Sequence, residues 1–567
     1  MSVERRTHLK LIVHDDRGEP SPFRAEWRGS GGKLRRLWSD TGQAELEAEP
    51  GRVCALVRRG VHCDAVALDL DLPADQVTTR RVVLRRRFDP QALGWYGGEN
   101  HMHVLHSPED PPRSIADGAR MAAADGLQYV QLCYGWDQSF AWLPADELDR
   151  QCHDASRPGT AVGWNIEAPK AYMSEDHGGR LGNLHCFGHG WTIGLRDNSR
   201  GRDFFSAGPN FRVIQEVHRQ GAIVGCAHPV RFWLMYGNFV SNWAAELPFD
   251  FVAGVPYDAV DVLNDSPLLF FQSERLWYTL LNMGYKVAGT GNSDGSLGTT
   301  EGVGRYRTYT KVNGDFTWAK LAESMRAGRN VATSGPFALL TVDGCDPGAE
   351  FPADGKPRRA DLRAWSGPLP GEVLTAVQLV RNGEVVRAWD LRAERAREWA
   401  VSFDIAEKEF AWHCVRVLSS CSDPVDAWHY GPHHCELAVV NPFYFLPDGF
   451  ERPAPAEACV SLKVTDGAGR AVAASVTIHD GAGEMARHEL PPSGQAALRL
   501  PATASLAISA PGCRTAERNL YMDCPDLFEY CRNLNMVWPS VYSPQTFAEL
   551  RRRLASLSLS VVLEGQA

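Results

Sequence analysis

The feature that most limits how this chain can fold is a regular alternation between residues 93 and 336. Short apolar segments typical of strands are separated there by longer stretches that are compatible with helices. The seven strand candidates cover residues 94–103, 127–134, 160–167, 185–191, 221–228, 259–263 and 285–294. Such an alternation is typical of βα units around a parallel sheet. We therefore predict an α/β fold whose centre is a distorted (β/α)7 barrel, closed or nearly closed.

The segments on both sides of this region follow a different pattern, in which apolar and polar residues alternate between turn sequences. This pattern predicts β-sandwich-like modules. A chain of 567 residues also exceeds what one hydrophobic core usually organises. We expect five parts: an N-terminal β module at 1–88, the barrel at 89–336, a β-sandwich module at 337–446, a second C-terminal β module at 447–520 and a helical tail at 521–567.

Composition and charge narrow the choice of partners. The 59 Lys and Arg residues against 69 Asp and Glu give a net charge of −10, and no basic stripe offsets it, so we expect no nucleic-acid partner. No stretch approaches the length of an uncharged apolar membrane helix, and no secretory leader is evident. We expect a cytoplasmic protein that acts on a small-molecule substrate without binding membranes, and a homo-oligomer is compatible with this composition.

The cysteines give no sign of a disulfide framework. The sequence has 14 of them, and none form a C-x-x-C pair. Several, among them Cys133 and Cys226, lie inside apolar strand-like segments. We therefore expect buried free thiols rather than disulfides or a zinc ribbon.

Metal-ligand residues stand at the ends of the predicted barrel strands. His101 and His103 close the first strand, where two-residue spacing puts both imidazoles on one face. Glu167, His228 and Asp294 each end a later strand candidate. Because the carboxyl ends of barrel strands share one face, these side chains should converge. A mixed imidazole and carboxylate set suits Zn, Mn or Fe and leaves coordination open for water, so the sequence predicts a metal site.

An ordered set of motifs resembles a known family. Residues 94–103 look like the G-D-L-H-x-H opening motif of the polymerase and histidinol phosphatase (PHP) metallohydrolases, and residues 227–229 and 291–294 look like two of their later motifs. Residues 328–336 match the G-R-x-x-x-T-S-G-P segment of the carbaryl-hydrolase-like (CehA/McbA) branch. In that branch a β module precedes a PHP-type barrel and another follows it. The resemblance spans about residues 8 to 446.

The resemblance implies a set of metal ligands. His101, His103, Glu167 and Asp294 would hold one ion, and Glu167, His228 and His185 would hold a second, with Glu167 bridging the two. His189 could take the place of His185, because it lies four residues further on.

Two motifs of the family are missing from this chain. The family places an Asp-His pair after the second strand, where this sequence reads Leu-Cys-Tyr-Gly-Trp at 132–136, and a His two residues after the last Asp, where it has Ser296. Both losses fall on the family's third metal position. We therefore expect one or two divalent ions, with an aromatic wall in place of the third.

The resemblance and the ligand set imply a hydrolase. A metal-bound hydroxide would cleave an ester, carbamate or amide bond of a small organic substrate. Tyr134 and Trp136 would contact its apolar part, since aromatic side chains favour an apolar organic group. A phosphoesterase using the same site is an alternative, in which Lys170 and Arg231 would clamp an anionic substrate.

Two other interpretations come from different classes of protein. Residues 291–295 match G-x-S-x-G, the serine-hydrolase elbow, with Ser293 as nucleophile. That elbow requires a helix directly after the serine, and residues 296–304 are rich in glycine and threonine, which are poor helix formers. The remaining alternative is a non-catalytic metal-binding scaffold, in which the β modules carry the function.

Overall fold

The chain folds into two compact units. The first comprises residues 1–167, 261–271 and 287–450, and the second comprises residues 168–260, 272–286 and 451–567. The computed structural model describes residues 7–28, 34–105, 113–133, 143–172, 186–206, 209–233, 239–242, 244–264, 270–298, 303–420, 435–481, 483–534 and 543–565. Strands and helices are both present, so the predicted α/β class is confirmed.

Strands make up most of the regular structure. The first strands are β1 Thr7–Asp15, β2 Phe23–Arg28, β3 Leu34–Ser39, β4 Gln43–Ala48, β5 Gly51–Arg58, β6 Val66–Leu72, β7 Val77–Leu84, β8 Trp95–His103, β9 Tyr129–Cys133, β10 Ala161–Asn165, β11 Glu167–Tyr172, β12 Cys186–Ile193, β13 Ile223–Cys226, β14 Val230–Trp233, β15 Phe239–Asn242, β16 Ala259–Leu263, β17 Ala288–Gly291 and β18 Gly295–Ser296. The later strands are β19 Arg307–Lys311, β20 Asn330–Thr333, β21 Phe337–Val342, β22 Glu350–Pro352, β23 Arg358–Trp365, β24 Leu374–Arg381, β25 Glu384–Asp390, β26 Glu398–Ile405, β27 Ala411–Ser420, β28 Cys435–Leu446, β29 Glu457–Asp466, β30 Ser475–Asp480, β31 Gly483–Glu489, β32 Gln495–Pro501, β33 Ser505–Ser509, β34 Ala516–Asn519 and β35 Leu557–Leu563.

The helices are short. They are α1 Ile115–Ala124, α2 Ala145–Ala155, α3 Gly201–Ser206, α4 Asn210–Arg219, α5 Leu247–Val252, α6 Phe270–Asn282, α7 Trp318–Arg326, α8 Leu520–Asp523, α9 Pro525–Leu534 and α10 Pro544–Leu554. Within the described ranges, none of these helices combines the length and the apolar composition that crossing a membrane requires.

Two small sheets form the start of the first unit. One has the strand order β4-β1-β7 and the other the order β3-β2-β5-β6. Along β1, buried and partly exposed residues alternate, so that Leu9, Leu11 and Val13 point into one apolar core. This period of two is what a strand with one covered face requires.

A long sheet runs through the rest of the first unit. Its strand order is β10-β9-β8-β19-β20-β28-β27-β24-β25, with β18 paired to β8 and β22 paired to β28. Strands β8, β9 and β10 are parallel neighbours, and α1 and α2 connect them as βα units. This sheet includes strands on both sides of residue 336. Every sheet of the described ranges is open at its ends, so the closed (β/α)7 barrel and the predicted domain bounds stay predictions.

Close packing fixes the strand that carries the metal-ligand candidates His101 and His103. A Cβ atom added to Gly98 on β8 would lie 2.2 Å from Cζ of Tyr129 on β9. At this distance either the Tyr129 side chain or the backbone of the strands would have to move, and both residues are buried in the sheet. Glycine at this position therefore allows β8 and β9 to pair at their observed spacing.

We expect a Gly98→Ala variant to be destabilised by about 1–3 kcal/mol, because a methyl group added to this contact must shift Tyr129 or the backbone. Urea denaturation measures this change in the free energy of unfolding. Gly467→Ala is the control, because no heavy atom lies within 4 Å of the Cβ added there. If the two variants unfold at the same urea concentration, the described packing of β8 on β9 is wrong.

The second unit contains the C-terminal strands and helices. Two sheets of order β32-β29-β35 and β31-β30-β33-β34 lie in it. The predicted helical tail over 521–567 contains the helices α9 and α10, and residues 557–563 of the same segment form β35, which pairs in parallel with β29. The alternating burial of Leu557–Leu563 explains the difference: a period of two places every second side chain in the core, as a strand does and a helix does not.

Candidate metal centre

Strand β8 brings two histidines together at its carboxyl end. The side chains of His101 and His103 are buried, and their ring centroids lie 5.1 Å apart. This agrees with the spacing of two residues, which places alternate side chains of a strand on the same face. Both imidazoles are therefore available to one site.

Asp294 lies against both imidazoles. Its Oδ1 atom is 3.2 Å from Nε2 of His101 and 3.2 Å from Nε2 of His103. Asp294 follows β17 and has a φ of +48°, the left-handed region that only glycine adopts without cost. The next two residues pair with β8, Gly295 opposite Met102 and Ser296 opposite His103. The turn between β17 and β18 therefore accepts strained backbone while it directs this carboxylate to the histidines.

Glu167 contributes a second carboxylate. Its Oε1 atom lies 3.8 Å from Nε2 of His101, and its Oε2 atom lies 3.7 Å from Nε2 of His103. The four side chains are at most 3% exposed. Two buried carboxylates this close repel each other unless a cation or protons compensate their charge.

The distances fit a shared ion. Nitrogen and oxygen ligands bind ions such as Zn²⁺ at about 2.0–2.2 Å, so two ligands of one ion lie roughly 3.0–3.5 Å apart. The nitrogen to oxygen distances of 3.2 Å match this range, and those to Glu167 exceed it slightly. The residues present therefore have the donor types and the spacing that a divalent ion requires.

Cys133 is a further donor, which the sequence reasoning treated only as a buried thiol. It is the last residue of β9, and its Sγ atom belongs to a group with His101 and His103 whose ligand atoms all lie within 4.8 Å of one another. The signal that could have identified it is its position at the end of the strand next to the two histidines. The sequence alone does not give that strand register.

Two amide side chains, one carboxylate and one hydroxyl form a hydrogen-bond network next to the site. The Oδ1 atom of Asn292 accepts hydrogen bonds from the backbone N–H of Asn100 at 2.9 Å and from its side-chain amide at 3.0 Å. Asn292 in turn donates to Oδ1 of Asp261 at 2.6 Å, and the Thr290 hydroxyl donates to the same atom at 2.8 Å. This network, which the sequence did not reveal, holds β8 and the β17–β18 turn in register.

Glu99 ties the same two segments together. Its Oε1 atom accepts the backbone N–H of Ser293 at 2.9 Å and that of His101 at 3.3 Å. Glu99 is completely buried, and this burial raises the pKa of its carboxyl to about 8. The backbone that carries His101 and Asp294 is thus anchored by one side chain.

Ser293 does not have the surroundings of a serine-hydrolase nucleophile. Its hydroxyl donates to the carbonyl of Tyr306 at 3.2 Å and accepts the N–H of Tyr306 at 3.1 Å. The segment after it forms the short strand β18, where the elbow would require a helix. The serine hydroxyl therefore holds a loop together, and a strand stands where the serine-hydrolase elbow would require a helix.

The other predicted site residues are placed as follows. His228 lies in the second unit, directly after β13, and is buried with a φ of +25°. Lys170 is on β11 and Arg231 on β14. The backbone of His189 is in β12. His185, Tyr134 and Trp136 lie outside the described residues, so their roles stay predictions.

Comparison with known proteins gives no family assignment. No family model matches the chain, and no curated protein matches it. A two-domain protein from Bacteroides vulgatus, described as containing a predicted PHP-like metal-dependent phosphoesterase, is 14% identical and is similar over 57% of this chain and 90% of its own, with a TM-score of 0.33. The major pilin subunit of Bacillus cereus is 7% identical, with coverage of 99% and 100% and a TM-score of 0.20. Similarities this low carry no conclusion about fold or function.

Proposed function

We propose that this chain is a metal-dependent hydrolase of the PHP type that cleaves an ester, carbamate or amide bond of a small organic substrate. The observation that supports it is the group of His101, His103, Glu167 and Asp294, which presents two imidazoles and two carboxylates at separations of 3.2 to 3.8 Å. The motif resemblance to the carbaryl-hydrolase-like branch supports the same class of enzyme.

The donor set favours Zn, Mn or Fe as the resident ion, because imidazole and carboxylate ligands together suit these metals. When bound, such an ion lowers the pKa of a water ligand toward about 7 and polarises the oxygen of the bond under attack. His101, His103, Glu167 and Asp294 would hold it, and the family resemblance implies that Glu167 would also serve a second ion. The assignments of His185 and His228 to that second ion are what the sequence resemblance implies.

The surrounding residues position the ligands and keep water away. Burial of the histidines and carboxylates excludes bulk solvent, which strengthens their interaction with a cation. The hydrogen bonds of Glu99 and Asn292 fix the backbone on both sides of the site. Support of this kind typically matters for metal affinity almost as much as the ligands do.

The substrate side of the proposal is drawn from the sequence. Tyr134 and Trp136 would contact an apolar organic group, which favours carbon esters, carbamates and amides. Lys170 and Arg231 would instead favour a phosphoester, so the phosphoesterase alternative uses the same metal centre with a different substrate. A scaffold without catalysis would bind the ion and hydrolyse none of these compounds.

We expect the metal-loaded chain to hydrolyse at least one aryl ester, carbamate or amide, and chelation followed by dialysis to abolish this activity. Adding back Zn²⁺, Mn²⁺ or Fe²⁺ should restore it, because the proposed chemistry depends on the ion. The measurement is a screen of these substrates together with aryl phosphoesters, using chelated protein as control. Activity confined to phosphoesters would select the alternative.

A matched variant separates the proposal from a serine hydrolase. Ser293→Ala should retain activity that is still sensitive to chelator, since the serine hydroxyl bonds the Tyr306 backbone and takes no part in the proposed chemistry. Hydrolysis that survives chelation and disappears in this variant would overturn the proposal.

A further inference from the structure

We propose that the thiolate of Cys133 is a ligand of the ion held by His101 and His103, and that it makes this centre selective for a thiophilic metal. The inference rests on the proposed function, because it concerns the same metal centre. It goes further by assigning a sulfur ligand in the segment where this chain lacks the Asp-His pair of the family.

The register of two strands places the sulfur beside the histidines. Strands β8 and β9 are parallel, and Cys133 is the direct partner of His103 in that pairing. Paired residues of neighbouring strands project from the same face of the sheet. The register of β8 on β9 shifts between Glu99 and Met102, and the distances show where His101 lies: its ring centroid is 5.1 Å from that of His103. All three side chains therefore reach one space.

The separations are close to those of ligands around one ion. The Sγ atom of Cys133 and one ring nitrogen of each histidine lie within 4.8 Å of one another. Zinc binds thiolate sulfur at about 2.3 Å and imidazole nitrogen at about 2.0–2.1 Å, so two such ligands lie roughly 3.5 Å apart. A small rotation of the cysteine side chain covers the difference.

The surroundings suit a ligand. Cys133 is 3% exposed and forms no disulfide. It lies at the end of its strand, where it faces polar donors, whereas a thiol that only fills space would face apolar side chains. Thiolate together with imidazole selects Zn²⁺ and related ions, whereas carboxylate oxygens alone suit Mn²⁺ and Mg²⁺. A sulfur ligand therefore makes Mn the least suitable of the three candidate metals Zn, Mn and Fe.

Cobalt spectroscopy tests the sulfur ligand without relying on activity. The full chain, freed of metal and loaded with Co²⁺, should show the near-ultraviolet charge-transfer band that a cobalt to thiolate bond produces. The Cys133→Ser variant should lose the band while it keeps the weaker visible bands of bound cobalt. Cys152→Ser is the matched control, because Cys152 is also 3% exposed but lies on α2, away from this group; it should keep the band.

Zinc binding gives a second readout. Cys133→Ser should bind Zn²⁺ about 100-fold more weakly and Mn²⁺ within about fivefold of the wild-type affinity, because only the thiophilic ion loses a preferred donor. If the variant does not fold, X-ray absorption of the zinc-loaded wild-type chain decides, with a sulfur shell at about 2.3 Å expected.

The outcomes separate this inference from the proposed function. Bound cobalt without a charge-transfer band, or zinc with only nitrogen and oxygen neighbours, would overturn the sulfur ligand and leave the hydrolase proposal standing. A chain that binds no divalent ion at all would overturn both.

Discussion

An Asp294→Asn variant is expected to bind its metal at least about 100-fold more weakly than the wild type and to lose nearly all hydrolytic activity. In the wild type, the Oδ1 atom of Asp294 lies 3.2 Å from the Nε2 atom of each of the two histidines. The substitution keeps the shape of the side chain and removes its charge. Loss of a residue that only supports a ligand usually weakens metal binding by about 10- to 100-fold. Loss of the charge of a ligand itself should weaken metal binding by at least about 100-fold.

The metal-free variant should behave differently. Without an ion, Asp294→Asn relieves the repulsion between two buried carboxylates, so the apo variant should be at least as stable as the apo wild type. Asp343→Asn is the control, because Asp343 also has a φ of +48° but lies far along the chain in the turn after β21. Unchanged metal affinity in Asp294→Asn, measured by competition with a chelating dye, would show that this carboxylate is not a ligand.

An Asp250→Asn variant is expected to be more stable than the wild type at pH 8 by at least about 1 kcal/mol, the free energy to which a pKa raised by one unit corresponds, and to lose part of the dependence of its stability on pH. Glu246 is the N-cap residue of α5 and Asp250 lies in the first turn of that helix, and both are buried. The Oε2 atom of Glu246 accepts the backbone N–H of Asn210 at 2.8 Å, and the side chain of the same asparagine lies at the Asp250 carboxyl.

The direction of the effect follows from the two pKa values. Burial raises the pKa of Glu246 to about 7, and burial together with the charge of Glu246 raises the pKa of Asp250 well above its ordinary value. The folded chain therefore holds protons that the unfolded chain has already released. Stability should fall as the pH rises from about 4.5 to above 7, where the native acids also ionise. Asp250→Asn removes only the contribution of Asp250, because burial is the main cause of the raised pKa of Glu246.

The test is amide hydrogen exchange of residues 247–252, which measures how stable α5 is at each pH. It is run at pH 5 and pH 8 and corrected for the intrinsic exchange rate. The wild type should be less protected at pH 8 than at pH 5, and this difference should be smaller in Asp250→Asn. Glu489→Gln, an exposed acid on β31, is the control. Protection that increases with pH, or that Asp250→Asn lowers, would contradict a pair held neutral by protons.

The sequence was sufficient for the parts of the site that local periodicity determines. Two histidines two residues apart on a strand must share a face, and ligand residues at strand ends could be expected to meet Asp294 and Glu167. These four side chains do lie together. Periodicity also predicted the α/β class.

Features that depend on long-range pairing were not accessible in this way. Cys133 reads as an ordinary buried thiol until the register of β9 on β8 sets it opposite His103. The support from Asn292 and Asp261 joins positions more than 150 residues from β8, and the sequence does not indicate which distant polar residues pair. The pairing of β35 with β29 likewise joins the two ends of a module of about 100 residues.

The measurement that tests the central claim most directly is anomalous X-ray diffraction at the zinc edge from crystals of the zinc-loaded chain. We predict a peak within about 2.0–2.3 Å of His101, His103 and Asp294. A crystal whose zinc lies elsewhere, or a chain that leaves these side chains without any ion at saturating zinc, would contradict the metal centre and with it the hydrolase.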